Sequence, residues 1–260
     1  MEVNAARKMS IITPFWKESL SPIEVRRIKI SLSHNSNITH IFVGPKIINV
    51  AKIAEIFPNS KFFYFENDYF SSIDNYNVLL LSRVFYESFR EYEYIVICQS
   101  DAIILRDLNE LIDFDYDYVG APWEYGYRIS KIGNHIFANS RLIKYLPHRR
   151  IFVGNGGLSI RKVSTFLNLL SLKSIDEYIE KSVGFNRNNL NEDIVFSYFL
   201  SKEKLKIPKR SEANKYFVET LARKIENEDG IFGAHGLGKY NPKLEEKILN
   251  EFESREKNAQ

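Results

Sequence analysis

Asp101 closes the run Tyr94-Ile95-Val96-Ile97-Cys98-Gln99-Ser100, in which apolar residues give way abruptly to an amide, a hydroxyl and a carboxylate. A carboxylate at the end of a buried strand is a hard oxygen ligand. A divalent cation that bridges two phosphates needs only one or two such ligands from protein, because the phosphates and water fill the remaining positions. The same aspartate could instead cap the turn that follows it. Asn191-Glu192-Asp193 opens an apolar segment, Ile194 to Leu200. Acids there meet the positive end of a helix dipole, or one of them projects into a cleft as a general base for a hydroxyl. His235 lies in Gly233-Ala234-His235-Gly236, where the glycines let backbone approach a ligand closely. A loop histidine with one structural hydrogen bond fits the same spacing. Gly154-Asn155-Gly156-Gly157 reads as a tight turn and lacks the Lys-Ser or Lys-Thr that completes a phosphate-cradling loop.

These groups need a scaffold, and the pattern of the first 90 residues supplies one. Strand-like runs at Ser10 to Thr13, His40 to Val43 and Lys61 to Phe65 alternate with helix-like runs at Pro22 to Ser33, Ile47 to Phe57 and Asn77 to Phe89. Such alternation argues βαβ units and a mainly parallel sheet. In the last helix Val78, Leu81, Phe85 and Phe89 fall on one face, and Asp74 or Asn75 is placed to cap it. Ligands of open sheets bind beyond the carboxyl ends of the strands. Asp101 falls there. Further on, the sequence predicts a strand at Tyr116 to Gly120, a loop-rich insertion at Glu124 to Arg150, a helix from Arg161 to Leu170, an Asn-rich loop at Asn186 to Asn191 and a helix from Glu192 to Leu200. Arg161 and Lys162 would either neutralise phosphate or begin a solvated helix face. Residues 1–242 read as one domain. Residues 243–260 read as a charged helical tail whose stripe of Leu244, Ile248 and Phe252 is expected to dock on that domain, the alternatives being a partner enzyme or, weakly, a membrane surface.

Composition removes several classes. The 36 Lys and Arg against 33 Asp and Glu leave +3, too little to imply nucleic acid. The single Cys98 rules out an internal disulfide and a cysteine-based zinc site. It reads as a small buried hydrophobe. No apolar run approaches the ~18 residues of a membrane span, and Met1 to Ser10 lacks the apolar core of a signal peptide. A cytoplasmic protein is expected.

Gln99-Ser100-Asp101 resembles the Asp-any-Asp motif of GT-A glycosyltransferases. In order after it, Asp117-Tyr118-Val119-Gly120-Ala121-Pro122-Trp123, Val153-Gly154-Asn155-Gly156-Gly157-Leu158-Ser159-Ile160-Arg161, Asn191-Glu192-Asp193 and Ala234-His235-Gly236 are similar to a family of bacterial surface-polysaccharide glycosyltransferases. That family was first catalogued as a domain of unknown function, and the likeness runs from about Ser10 to Pro242. One departure stands out: Gln99 replaces an aspartate common in the wider fold.

The resemblance implies a GT-A-like α/β fold, the Rossmann-like nucleotide-diphosphosugar arrangement of a mainly parallel central sheet with flanking helices. It implies transfer of a hexose from a uridine diphosphate sugar to a saccharide hydroxyl, on a free or lipid-linked acceptor, in O-antigen or capsule synthesis. Asp101 and His235 would hold Mn2+ or Mg2+, an imidazole ligand favouring manganese. Asp193 would be the base of an inverting reaction and Glu192 a support or acceptor contact; in a retaining reaction the leaving phosphate or another group would take the proton. Thr13, Pro14, Asn77, Arg83, Gln99 and Ser100 would form the nucleotide site, with Asn155, Gly156 and Gly157 a wall against the donor sugar. Arg83 could equally pair with Glu87. The implied place is the cytoplasm, peripherally at the inner face of the membrane, without nucleic acid. A non-catalytic saccharide or nucleotide-sugar binding protein on the same fold is the alternative.

Overall fold

The computed structural model describes residues 8–111, 114–132, 135–138, 145–185 and 191–258. The chain opens with β1 (Met9–Pro14), α1 (Pro22–Ser33), β2 (Thr39–Pro45), α2 (Ala51–Ile56) and β3 (Lys61–Phe65). Next come α3 (Ile73–Leu80), α4 (Arg83–Glu87), β4 (Tyr94–Cys98), β5 (Ala102–Ile104), β6 (Tyr118–Gly120), β7 (Pro122–Ile132), β8 (His135–Ala138) and β9 (Arg149–Val153). The remainder holds β10 (Leu158–Lys162), α5 (Val163–Leu169), α6 (Lys173–Phe185), α7 (Glu192–Lys202), α8 (Arg210–Tyr216), β11 (Phe217–Val218), β12 (Gly233–His235), α9 (Leu237–Tyr240) and α10 (Pro242–Asn258). No helix among the described residues is long and apolar enough to cross a membrane.

Six strands form the central sheet in the order β3-β2-β1-β4-β10-β6. β1 to β4 are mutually parallel, and β10 runs antiparallel to both β4 and β6. The expected α/β architecture is therefore present, with one reversed strand. Side chains of β4 alternate between two cores, because successive residues of a strand point to opposite faces. Ile95 and Ile97 enter one core, and Tyr94, Val96 and Cys98 enter the other. Burial pushes the Cys98 thiol up to about 12, so it stays a neutral filler.

Local chemistry explains where elements start. Ser21 caps α1 in a reciprocal box with Glu24, and Pro22 occupies the first turn, which needs no backbone donor there. The helix expected over Asn77 to Phe89 is two helices. Leu79, Leu80 and Leu81 are all buried, and three consecutive residues cannot share one helical stripe, so the chain turns at Ser82 to bury them. Ser82, in an extended conformation, caps α4, while Ser72 rather than Asp74 or Asn75 caps α3.

Two other expectations change. The segment Glu124 to Arg150 is not loop-rich where it is described: β7, β8 and β9 form a three-stranded antiparallel sheet. A bulge between Pro122 and Tyr127, with Gly126 at φ 64°, breaks the two-residue alternation that would have revealed the strand. The helix expected from Arg161 begins at Val163, because Leu158 to Lys162 lie between β4 and β6 as β10. α6 was not foreseen, and the Asn-rich loop expected at 186–191 lies outside the described residues except for Asn191.

The C-terminal helix packs onto the sheet domain through Leu244, Ile248 and Leu249, which join a core with Ile103, Ala234 and Leu237. Buried Glu245 receives two hydrogen bonds from Arg27, at 2.9 and 3.0 Å, and Arg27 Nη1 also reaches the Ser100 carbonyl at 3.4 Å. α10 thus braces the loop that carries Asp101.

His40 on β2 is buried between Ser60 Oγ (2.7 Å) and Thr13 Oγ1 (2.9 Å), and burial pushes its imidazole down to about 3. An unfolded histidine titrates near 6.5. Between those values the unfolded chain binds the extra proton, so stability is full above about pH 6.5 and falls as the pH drops toward 3, by up to about 5 kcal/mol. Urea midpoints measured from pH 6.5 to 5 should fall in the parent relative to His40→Gln, a difference in which groups common to both chains, Asp193 among them, cancel.

Candidate active site

The loop after β4 and the end of β12 meet beyond the carboxyl end of the sheet. β12 pairs antiparallel with β5, placing His235 opposite Ala102, and the Gly236 amide donates to the Asp101 carbonyl at 3.0 Å. The register brings two side chains 134 residues apart into contact: His235 Nε2 lies 3.2 Å from Asp101 Oδ1. His235 Nδ1 lies 3.2 Å from Glu219 Oε1, and Glu219 follows β11, which pairs in parallel with β12. Although burial opposes the charged imidazole, hydrogen bonds to Asp101 and Glu219 raise it to about 9. Burial opposes ionisation of Asp101 as well, yet the His235 contact holds its carboxyl below the usual range.

This cluster has the donors a cation needs. His235 Nε2 is buried and makes no well-aligned hydrogen bond. With Nδ1–H donating to Glu219, Nε2 faces Asp101, and a cation there would displace the Nε2 proton and take its lone pair, the arrangement that a carboxylate behind a metal-ligating histidine enforces. Gln99 Oε1 borders the same spot, since a Cβ on Gly157 would overlap His235 Nε2 and stand 2.8 Å from Gln99 Oε1. Among the described residues no group of three His, Cys, Asp or Glu forms a metal cage by itself. A cation held here by Asp101 and His235 would draw its other ligands from substrate and water.

The glycine turn serves close packing. A Cβ on Gly156 would overlap Glu192 Oε1, as one on Gly157 would overlap His235. Asn155 Oδ1 accepts from the Gly157 and Leu158 amides at 3.0 and 3.3 Å, so its carbonyl shapes the turn. The turn lets Glu192 and His235 approach, a packing role for Gly156 and Gly157.

Behind the turn, Arg161 is fully buried, neither a solvated helix residue nor one open to phosphate. Its guanidinium donates to Tyr86 Oη (2.9 Å), Ser159 Oγ (3.0 Å), the Gly156 carbonyl (3.3 Å) and Glu192 Oε1 (3.0 Å). The rings of Tyr118, Phe166 and Phe196 surround it at 5.7 to 5.9 Å. Glu192 Oε2 and Asp193 Oδ1 are buried without hydrogen-bond partners among the described residues. Burial, then the neighbouring Glu192 charge, pushes the Asp193 carboxyl up to about 8, with Glu219 adding to the effect. Four carboxyl groups, Asp101, Glu192, Asp193 and Glu219, and one imidazole therefore share this end of the sheet.

The remaining predicted residues scatter. Thr13 directs its hydroxyl to His40 and lies in the β1–β2 ladder opposite Phe42. Pro14 lines a small groove with Trp16, Glu24 and Ser100, and Ser100 Oγ donates to Glu24 at 2.7 Å. Asn77 is buried on α3. Arg83 binds Glu87 (2.8 Å), the Leu167 carbonyl (2.9 Å) and Ser171, contacts directed at α5 and its C-terminal turn. Sequence reasoning missed Glu219, Tyr76 and Tyr127. Tyr76 hydrogen-bonds Gln99, while burial raises its hydroxyl. Tyr127 is raised by burial and by the charges of Asp193 and Glu219, so it borders the same cleft.

The profile of the family described as a protein of unknown function (DUF5672) matches residues 59–235. The chain belongs to this family. No curated protein matches it. Among solved structures, an active-site mutant of LgtC aligns at TM-score 0.58 and 13% identity over 95% of this chain and 96% of that one. The galactosyltransferase LgtC in complex with donor and acceptor sugar analogs aligns at 0.55 and 11% over 94% and 96%. The WbbM bifunctional glycosyltransferase aligns at 0.49 and 13%, taking in 98% of this chain, which spans 45% of that one. The LgtC alignments identify the fold as the GT-A type of mixed α/β arrangement.

Proposed function

We propose that the chain is a cation-assisted glycosyltransferase that moves a hexose from a uridine diphosphate sugar to a saccharide hydroxyl in bacterial surface-polysaccharide synthesis. The observation that carries this reading is the alignment of Asp101, His235 and Glu219 beyond β4 on a GT-A fold. A structural neighbour bound to donor and acceptor sugar analogs supports the substrate class. Asp101 and His235 hold Mn2+ or Mg2+, which when bound stabilises the charge developing on the leaving diphosphate. Glu219 fixes the imidazole orientation. Asp193, at the start of α7, takes the acceptor proton, and Glu192 pairs with Arg161 beside it. Pro14 and Trp16 border the nucleoside base. Such substrates assign the protein to the cytoplasmic face of the membrane.

Calorimetry with Mn2+ and uridine diphosphate tests the ligand set without turnover. In Glu219→Gln the Mn2+ affinity should fall by about 10- to 100-fold while diphosphate binding in chelator stays at the parental value. Unchanged Mn2+ affinity would end the role of Glu219 in positioning the imidazole for the cation.

A further inference from the structure

No Asp or Glu occurs in residues 125–175, a stretch of 51 residues that carries nine Lys or Arg in a chain of net charge +3. The fold concentrates part of this excess beside a second basic segment. A groove of about 440 Å3 between β9 and the end of α7 is lined by Arg150, Lys204, Lys209 and Arg210, with Phe152 and Leu205 on its apolar side, and no acid among the described residues lines it. Arg150, Lys204 and Lys209 are exposed, and none of the three makes an ion pair with a described residue. Their neighbours differ: Lys202 pairs with Glu203, and Lys206 with Asp115. The Arg210 guanidinium stands 5.6 Å over the Phe152 ring.

Two features make this accumulation unfavourable for folding alone. Arg128 stands directly across the β7–β9 pair from Arg150, and like charges in that relation repel. Lys204 takes a left-handed backbone, φ 56°, at the end of α7. There the Leu205 amide reaches the Leu200 carbonyl at 3.1 Å and the Lys204 amide the Ser201 carbonyl at 3.4 Å. That motif ordinarily uses glycine, and a side chain there costs stability.

We propose that this groove is a binding site for phosphate-ester anions, separate from the cation site. Two guanidinium forks and two ammonium groups suit paired phosphate oxygens. The 11 residues of α7 set the groove roughly 16 Å from the Glu192–Asp193 acids, so a donor diphosphate at Asp101 does not fill it. The anion is either the headgroup layer of an acidic bilayer or a phosphate ester on a discrete ligand.

The test compares the full chain with Arg150→Gln/Lys204→Gly/Lys209→Gln and with a control, Lys29→Gln/Lys52→Gln/Lys61→Gln, which loses the same charge elsewhere. Inorganic pyrophosphate is titrated by calorimetry in chelator, which silences cation-dependent donor binding. Vesicles of phosphatidylglycerol in phosphatidylcholine, and of phosphatidylcholine alone, are sedimented with protein. The groove variant should lose roughly fivefold in affinity per cation removed, with the control near the parent. Lys204→Gly alone should melt no lower than the parent while binding more weakly, which a purely structural lysine would not do. Saturable pyrophosphate binding assigns a discrete phosphate ester, and binding only to acidic vesicles assigns headgroups. Binding of neither probe, or equal losses in groove variant and control, overturns the proposal.

Discussion

Arg161→Met lowers the free energy of unfolding by about 3–5 kcal/mol, the range found when one partner of a buried ion pair is removed. The side chains of Arg161 and Glu192 are 0% and 6% exposed and 3.0 Å apart. Every donor of Arg161 used in the network points at a buried acceptor: Tyr86, Ser159, the Gly156 carbonyl and Glu192. Methionine fills much of the volume but leaves the Glu192 carboxylate in an apolar shell beside Phe166 and Phe196. Adding Glu192→Leu should restore most of the lost stability, since a buried pair exchanged for apolar side chains is often neutral. Urea denaturation of the two variants decides this. If Arg161→Met alone is as stable as the parent, the guanidinium is not the pin that holds the glycine turn and α7 together.

Asp193→Asn should lower the rate of sugar transfer by about 10²- to 10⁴-fold, the span general base catalysis supplies. The amide keeps the shape and cannot take a proton. The pH profile of kcat/KM carries the second half of the prediction. The Asp193 carboxyl is raised to about 8 in the ligand-free site, and a base works only when deprotonated. The parental rate should therefore climb with pH through the Asp193 titration, and this limb should vanish in Asp193→Asn. A positive charge gained at Asp101 would draw the limb below 8. Transfer at the parental rate in Asp193→Asn would end its role as base.

The parts of this site that were legible are those whose signal is local. β4 showed itself as an apolar run ending at Asp101. α1 showed itself through Ser21, Pro22 and Glu24. His235 was marked by its flanking glycines and by resemblance. What escaped depends on pairing over distance. Arg161 looks like the start of a solvated helix until β10 is seen between β4 and β6, with its partner Glu192 arriving 31 residues later. Glu219 is an unremarked acid until β11 lines up beside β12 and directs it at His235 Nδ1. The β7 strand was hidden by a bulge at Gly126, and the single helix expected at Asn77 to Phe89 overlooked three consecutive buried leucines. The missing side chains of Gly156 and Gly157 are visible in the sequence, whereas the close approach of Glu192 and His235 to them depends on pairing over distance.

The most direct measurement is release of nucleoside diphosphate from a panel of sugar nucleotides, with Mn2+, Mg2+ or chelator, in the parent and in Asp101→Ala. Cation-dependent release from one donor, abolished in Asp101→Ala, is the result expected of a transferase whose cation is held at Asp101 and His235. Release that persists at the parental rate in Asp101→Ala or in chelator, or no release from any donor with or without saccharide acceptors, would contradict it.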